Sequence, residues 1–326
     1  MIKKYIDVAP VPHYIANING ACTNEEKAIQ LQQMFFPPPP LTVIDDIYAN
    51  GRAMYPHSVY CPQIVTMRQL QNVINKLHPN KAPGPDEIPN RVLKKTFKTT
   101  KHHLLAMANS SVKLSHFPTA FKNTSTIVLR KPGKPDYTKP NAYRPIALEN
   151  ILGKVLESIM AEILSYLTET HKLIPPQHFG GRPGRTSEDA MIILTEKIHH
   201  TRKERDIYSI IFMDVGGIFN NVHHERLFDN LHKQRVPEFM VKWIQSFLSN
   251  RSTNIRFNGV TSQTMRTDAG VPQGSPMSPI LYMFYNADLL DIPKKNNAPG
   301  AQSLGFIDDI AYGVQGQSTE ENVQIL

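Results

Sequence analysis

The chain reads as an α+β fold, a small antiparallel sheet flanked by helices. Three observations predict this class. Apolar residues recur at helical spacing in several segments, as at Leu70, Val73, Ile74 and Leu77. Short apolar runs that end in carboxylates, SIIFMD at 209–214 and SLGFID at 303–308, have strand character. Helices and short strands interleave without an internal repeat, so neither a solenoid nor a regular βαβ array is expected.

The elements follow in order. Thr23 or Asn24 caps a short first helix, with Glu25 and Glu26 in its first turn and Ile29, Leu31, Met34 and Phe35 as its apolar positions. Pro37 to Pro40 end it, and 1–65 reads as a leader or linker. A second helix begins at Thr66. The loop HPNKAPGPDEIP at 78–89 is stiffened by four prolines. Helices are expected at 90–98 and 101–114, a strand at 126–130 (TIVLR), and a turn at KPGKPD. Two long helices, near 148–168 and 186–203, flank QHFGGRPGRTSED. The run at 209–214 is expected as a buried strand, followed by helices near 224–232 and 237–249. Residues 253–257 and 264–267 resemble a hairpin around Asn258-Gly259. A helix at 276–289 precedes strands at 303–308 and 310–314. With 326 residues there is room for two or three lobes. They are expected at 66–205, which holds a basic segment, and at 206–326.

Composition excludes several classes. No run of about 18 apolar residues predicts a membrane helix. The first twenty residues lack a continuous apolar stretch, which argues against secretion. Only Cys22 and Cys61 are present, so neither a disulfide scaffold nor a four-cysteine zinc site is possible. The net charge is +8, and it is concentrated. Between Lys76 and Pro135 twelve basic residues face two acids, Asp86 and Glu87. A basic lobe joined to a near-neutral one suits a polyanion. Lys81, Lys94, Lys95, Lys98, Arg130 and Lys131 are its candidate nucleic-acid contacts.

The carboxylates carry the chemistry. Asp308 and Asp309 lie between two apolar runs, at the expected tip of a hairpin, and Asp214 ends a strand of similar character. Side chains alternate along a strand, so Asp308 and Asp309 point different ways, and Asp308 is the better candidate ligand. Neighbouring strands would bring Asp214 and Asp308 to one sheet edge. Hard cations such as Mg²⁺ take oxygen ligands and share them with phosphates. Two such ions about 3.5–4 Å apart stabilise both oxygens of an in-line phosphoryl transfer.

These residues sit in recognisable surroundings. FMDVGGIFNNVHH around Asp214, GVPQGSPMSPIL at 270–281 and GFIDDIAYG at 305–313 resemble three consecutive palm motifs of reverse transcriptases. Upstream, NKAPGPDEIP, YRPIALENILGKVLE and HFGGRPGRTSEDAM agree, and all six occur in family order. The resemblance is to the polymerases of non-LTR retrotransposons of a kind abundant in fungal genomes. Group II intron polymerases are near neighbours. The resemblance covers roughly residues 66–316 and implies a right-hand polymerase with fingers and palm. It also implies a thumb that this chain, ending at Leu326, would lack.

The resemblance assigns roles by position. Asp214 and Asp308 would ligate two Mg²⁺ ions, with Mn²⁺ as a possible substitute. The carbonyl of Val215 would be a further ligand, and Asp309 a more peripheral acid. Phe219 holds the gate position that favours dNTPs by excluding a 2′-OH. Gln273 and Gly274 fall where the family contacts nucleotide and template. Arg182 and Arg185 fall where guanidinium groups hold phosphates. The implied partners are an RNA template, a DNA primer and dNTPs. Ile218 and Ile307 stand where smaller residues are common, and overpacking of this sort typically costs about 1–3 kcal/mol. Beside active polymerisation, the same fold as an inactive remnant or passive RNA binder stays open. An unrelated metal-dependent phosphodiesterase leaves Phe219 and the motif order unexplained.

Overall fold

The computed structural model describes residues 14–39, 55–296, 298 and 300–326. Much of the expected leader, 1–13 and 40–54, and with it Pro40, lies outside the described residues. The mixture of helices and two sheets agrees with the expected α+β class.

Helix α1 (Asn24–Phe35) starts at a capping box in which Thr23 and Glu26 satisfy each other's backbone N–H groups. It is no free linker. Ile15, Ile18, Leu31 and Phe35 pack with Val128, Tyr143, Ile255 and Phe257 into a second, smaller core. Helix α2 (Met67–Lys76) has the same kind of box at Thr66 and Gln69. Helix α3 runs unbroken over Asn90–Lys113, where two helices were expected. No glycine or proline interrupts it, and the Thr99 and Thr100 hydroxyls fold back onto the Thr96 carbonyl at 2.8 and 3.1 Å.

The larger sheet holds β1 (Asn123–Arg130), β2 (Tyr143–Leu148), β4 (Arg251–Phe257), β5 (Val260–Thr261) and β6 (Met265–Thr267), in the order β2–β1–β4–β5, with β6 also on β4. Strand β2 was not expected because Pro145 interrupts its pattern. It is tolerated because β2 is an edge strand. The β1–β4 pair is parallel, Asn123 opposite Ser252. The expected Asn258-Gly259 turn is present but joins β4 to β5, while the strand expected at 264–267 is β6, which pairs with residues 251–253 of β4.

Helices α4 (Ile151–His171), α5 (Ser187–Lys203), α6 (His224–Lys233), α7 (Glu238–Leu248) and α8 (Ser278–Leu290) supply most of the main core. A short α9 (Ile292–Lys295) follows, and α10 (Thr319–Ile325) ends the chain. Trp243 is fully buried, stacked on Phe247, with its indole N–H on Ser111 Oγ at 2.9 Å. The main core takes Leu93 and Leu164 from one side of the expected 205/206 boundary and Leu227 and Phe284 from the other. The larger sheet crosses the same boundary.

The smaller sheet is antiparallel, ordered β3 (Ile207–Asp214), β8 (Asp309–Gly316), β7 (Ala301–Phe306). Its strand β3 is not buried, contrary to expectation. It is an edge strand, and Phe212 remains 70% exposed. Among the described residues no helix is long and apolar enough to cross a membrane.

Candidate active site

The site begins with a two-residue turn. Phe306 and Asp309 pair across the β7–β8 hairpin, leaving Ile307 and Asp308 as its tip. Asp309 is therefore the first residue of β8 and not part of the turn, as the sequence reading had it. Strand β3 pairs directly with β8, which sets Asp214 opposite Asp309. Side chains opposite each other across a ladder share a face. Ile307 has φ +58°, a left-handed conformation that costs a β-branched residue about 1–2 kcal/mol. The branched side chain noted in the sequence thus loads the backbone of the turn itself.

Asp214, Val215, Phe219, Gln273, Ile307 and Asp308 line one cleft of about 610 Å³. Asp309 does not line it. That residue borders an apolar groove with Phe212, Leu304 and Ala311, and Asp214 lines both that groove and the cleft. Burial raises the Asp308 carboxyl above the usual range, its own backbone N–H offsets part of this, and the charges of Asp309 and Asp214 add to the rise. Tyr282 is pushed up to about 12 by burial, Asp308 and Tyr285. Its ring meets Phe219 edge-on at 6.0 Å. Phe219 is held from behind, because its carbonyl accepts the Val271 N–H at 2.7 Å. The Gln273 carbonyl accepts the Ala147 N–H at 2.8 Å and ties this loop to β2. Gly274 follows at φ +120°, a conformation L side chains rarely adopt.

Three cations border the same cleft: Lys131, Lys134 and Arg144. Burial depresses Lys131, the charges of Lys134 and Arg144 depress it further, and Asp214 pulls it back up. These groups therefore share one field with the acids. Lys134 and Arg144 were not singled out in the sequence. The signal was present in KPGK and YRPIAL, both of which precede an expected polymerase palm.

Arg182 and Arg185 are elsewhere. Arg182 is 8% exposed and grips Glu169 with two bonds of 2.7 and 2.8 Å, while its Nη1 donates to the Pro175 and His178 carbonyls. Arg185 donates to the Pro176 carbonyl and lies over the Phe179 ring. Neither lines the cleft. Of the other basic candidates, Lys95 and Lys98 are exposed. Lys81 is exposed beside Gly274 and Pro276. Lys94 caps the end of α2 through the Asn75 and Leu77 carbonyls at 2.9 and 2.7 Å. Arg130 donates to the Tyr14 carbonyl and lies over Tyr137.

The acids fit a divalent ion of the magnesium kind. Among the described residues no three acid, imidazole or thiol groups form a ready-made metal cage. Mg²⁺ is commonly held by one or two carboxylates and completed by water and substrate phosphates. Asp214 and Asp308 supply two hard oxygen donors, and a cation would offset the burial, and the smaller repulsion from Asp309 and Asp214, that raise Asp308.

Comparison with known proteins decides the family. The sequence pattern of the family described as reverse transcriptase (RNA-dependent DNA polymerase) matches residues 129–326. The chain belongs to the reverse transcriptase family. The resemblance to reverse transcriptases is borne out at this level. Among its relatives is the probable RNA-directed DNA polymerase from transposon X-element of Drosophila melanogaster, 31% identical over 68% of this chain and 24% of that protein. The RNA-directed DNA polymerase from mobile element jockey of Drosophila funebris is 28% identical over 76% of the chain and 27% of its own length. A Pol polyprotein from type-1 retrotransposable element R1 of Bradysia coprophila is 24% identical over 98% of the chain and 30% of that protein. This reverse transcriptase chain thus spans about a quarter of the length of the curated relatives it matches.

Proposed function

We propose that this domain is the RNA-directed DNA polymerase of a non-LTR retrotransposon, adding deoxynucleotides from dNTPs to a primer 3′-OH on an RNA template. The observation that carries the reading is the shared cleft, in which Asp214 and Asp308 face Lys131, Lys134 and Arg144 beside Phe219 and Gln273. Asp214, Asp308 and the Val215 carbonyl are the groups that would hold two Mg²⁺ ions, or Mn²⁺ in their place. When bound, such ions stabilise charge on the attacking and leaving oxygens.

The chain's own residues do the rest. The two carboxylates fix where the α-phosphate lies relative to the primer end, and such positioning is the main source of rate in phosphoryl transfer. Lys131, Lys134 and Arg144 meet the triphosphate, a role that Arg182 and Arg185 are too committed elsewhere to fill. Phe219 walls the sugar and disfavours a 2′-OH. The Gln273-Gly274 backbone lets a base pair approach. Lys81, Lys95 and Lys98 offer exposed charge to nucleic-acid phosphates. A fungal source and a nuclear or cytoplasmic place belong to the same reading and rest on the sequence.

Primer extension on an RNA template with Mg²⁺ tests it. Wild-type chain is expected to extend the primer. Asp214→Asn and Asp308→Asn are each expected to lower the rate by at least about 10²-fold, since metal-borne charge stabilisation supplies several kcal/mol. Equal extension by wild type and Asp308→Asn overturns the assignment. Salt-sensitive RNA binding with no extension supports the passive RNA-binding reading in its place.

A further inference from the structure

The catalytic hairpin is held by a residue outside the cleft. Ile307, at φ +58°, occupies the first position of a two-residue turn where glycine is usual. Such a residue keeps its conformation only when its surroundings over-determine it. The Ile307 carbonyl accepts a 2.6 Å hydrogen bond from Asn286 Nδ2, on α8. Asn286 is 2% exposed. The imidazole of His178 stands near it, fully buried and lowered to about 4 chiefly by burial, although among the described residues neither ring nitrogen nor Asn286 Oδ1 completes a hydrogen bond.

The segment carrying His178 braces the same hairpin. Phe179 N–H donates to the Gly305 carbonyl at 2.7 Å, and Gly305 N–H donates to the Gln177 carbonyl at 3.0 Å. Gly180 packs directly on the turn. A Cβ there would stand 2.5 Å from Ile307 Cγ1 and 2.6 Å from its nitrogen. Arg182 then fastens this segment to α4 through Glu169.

We infer that Asn286 is a positioning residue: by holding the Ile307 carbonyl against the braced 177–182 segment, it fixes the strained turn and thereby aims Asp308 into the cleft. The inference rests on the reading of Asp308 as a metal ligand. It also gives the HFGGRPGR motif a different task from phosphate binding, that of a buttress behind the hairpin.

The test is a double-mutant cycle between Asn286→Leu and Ile307→Gly. It is read by hydrogen exchange of the 303–312 amides and by Mn²⁺ affinity from electron paramagnetic resonance. Asn286→Leu is expected to speed hairpin exchange and to weaken Mn²⁺ binding, each by about tenfold or more, as loss of a group supporting a ligand does. Glycine adopts the turn without strain, so in the Ile307→Gly background the same substitution is expected to cost at most about threefold. Exchange and affinity within about twofold of wild type, or an equal loss in both backgrounds, overturn the inference. Should Asn286→Leu unfold the chain, Asn286→Ser is read by the same criteria. Absence of Mn²⁺ binding and of primer extension in the wild type would sink the polymerase reading alone, because hairpin exchange still reports on Asn286.

Discussion

Arg182 separates two accounts of the glycine-arginine segment. The motif resemblance places it on a phosphate, whereas the structure places it in the fold. Its guanidinium is 5% exposed and makes two bonds to Glu169, whose carboxylate is 32% exposed, and two more to backbone carbonyls. Arg182→Met keeps the stem and removes all of these. Breaking a buried, hydrogen-bonded pair costs about 3–5 kcal/mol. Water can reclaim part of the Glu169 carboxylate, so the low end, about 3 kcal/mol, is expected. At roughly 2 °C per kcal/mol for a domain of this size, the melting temperature should fall by about 6 °C. Arg182 hydrogen bonds hold Glu169 below the usual carboxylate range. A depressed acid stabilises the fold above its unfolded pKa, and that stability is lost as pH falls through the folded value. The gap between wild type and variant should therefore be full at neutral pH and shrink in acid. Arg144→Ala supplies the contrast. That side chain is exposed at the cleft, so its loss should leave melting unchanged and raise KM for dNTP by about tenfold, the scale of one charge-assisted contact. Differential scanning fluorimetry and steady-state primer extension read both. Unchanged melting with a raised KM in Arg182→Met would refute the structural account.

Two other predictions follow from buried and exposed charge. Glu157 is 1% exposed, accepts the Ser275 hydroxyl, and is held well above the usual carboxylate range by burial and by the nearby Glu149, itself ion-paired with Arg251 at 2.9 Å. Glu149 Oε2 and Glu157 Oε1 have no other partner, and a proton on Glu157 would serve both. A raised acid contributes stability that is complete below its unfolded pKa and lost as pH rises, so wild-type urea midpoints should decline toward alkaline pH while those of Glu157→Gln stay flatter. Parallel curves would refute this. Lys94→Ala should lower stability by about 1 kcal/mol without changing RNA affinity, because it caps α2. Lys95→Ala and Lys98→Ala should do the reverse, each reducing the slope of log K against log salt by about 0.7. Chemical denaturation and filter binding at several salt concentrations check both, and a salt slope changed by Lys94→Ala alone would contradict them.

What could be read in the sequence was what is local or what is named by type. Capping at Thr23 marked a helix start because the cap bonds span three residues, and the boxes at Thr66 and Thr186, which the sequence reading did not name as caps, stand at two further expected helix starts. The acids were legible because Asp214 and Asp308 end or join apolar runs. What failed was long-range. Pro145 hid β2, since a chain does not declare which of its strands lies at an edge. The run at 209–214 reads as buried because apolarity alone does not reveal that, among the described residues, β8 is its single strand neighbour. Arg182 and Arg185 look like phosphate ligands in a glycine-rich segment. Only the fold shows Glu169 and the Pro175, Pro176 and His178 carbonyls waiting for them.

The same long-range bonds explain how a site made of loops can be exact. Asp214 and Arg144 stand on strands, whereas Asp308, Phe219 and Gln273 sit on turns or loops that are each tied to a neighbouring segment. The Asp308 turn is tied by Asn286 of α8, and the Gln273 loop by Ser275 on Glu157 of α4 and by Ala147 of β2. Phe219 is tied by Val271. Helices α4 and α8 also carry the apolar side chains of the main core, which fixes their relative placement. Core packing thus sets the distance between the Asp308 tip and the Gln273 loop, although no residue of α4 or α8 lines the cleft. A domain organised this way should lose activity before it loses fold. Displacing a tethered loop by about 1 Å can cost some 10²-fold in rate, while the single hydrogen bond that held it contributes only about 1 kcal/mol to stability.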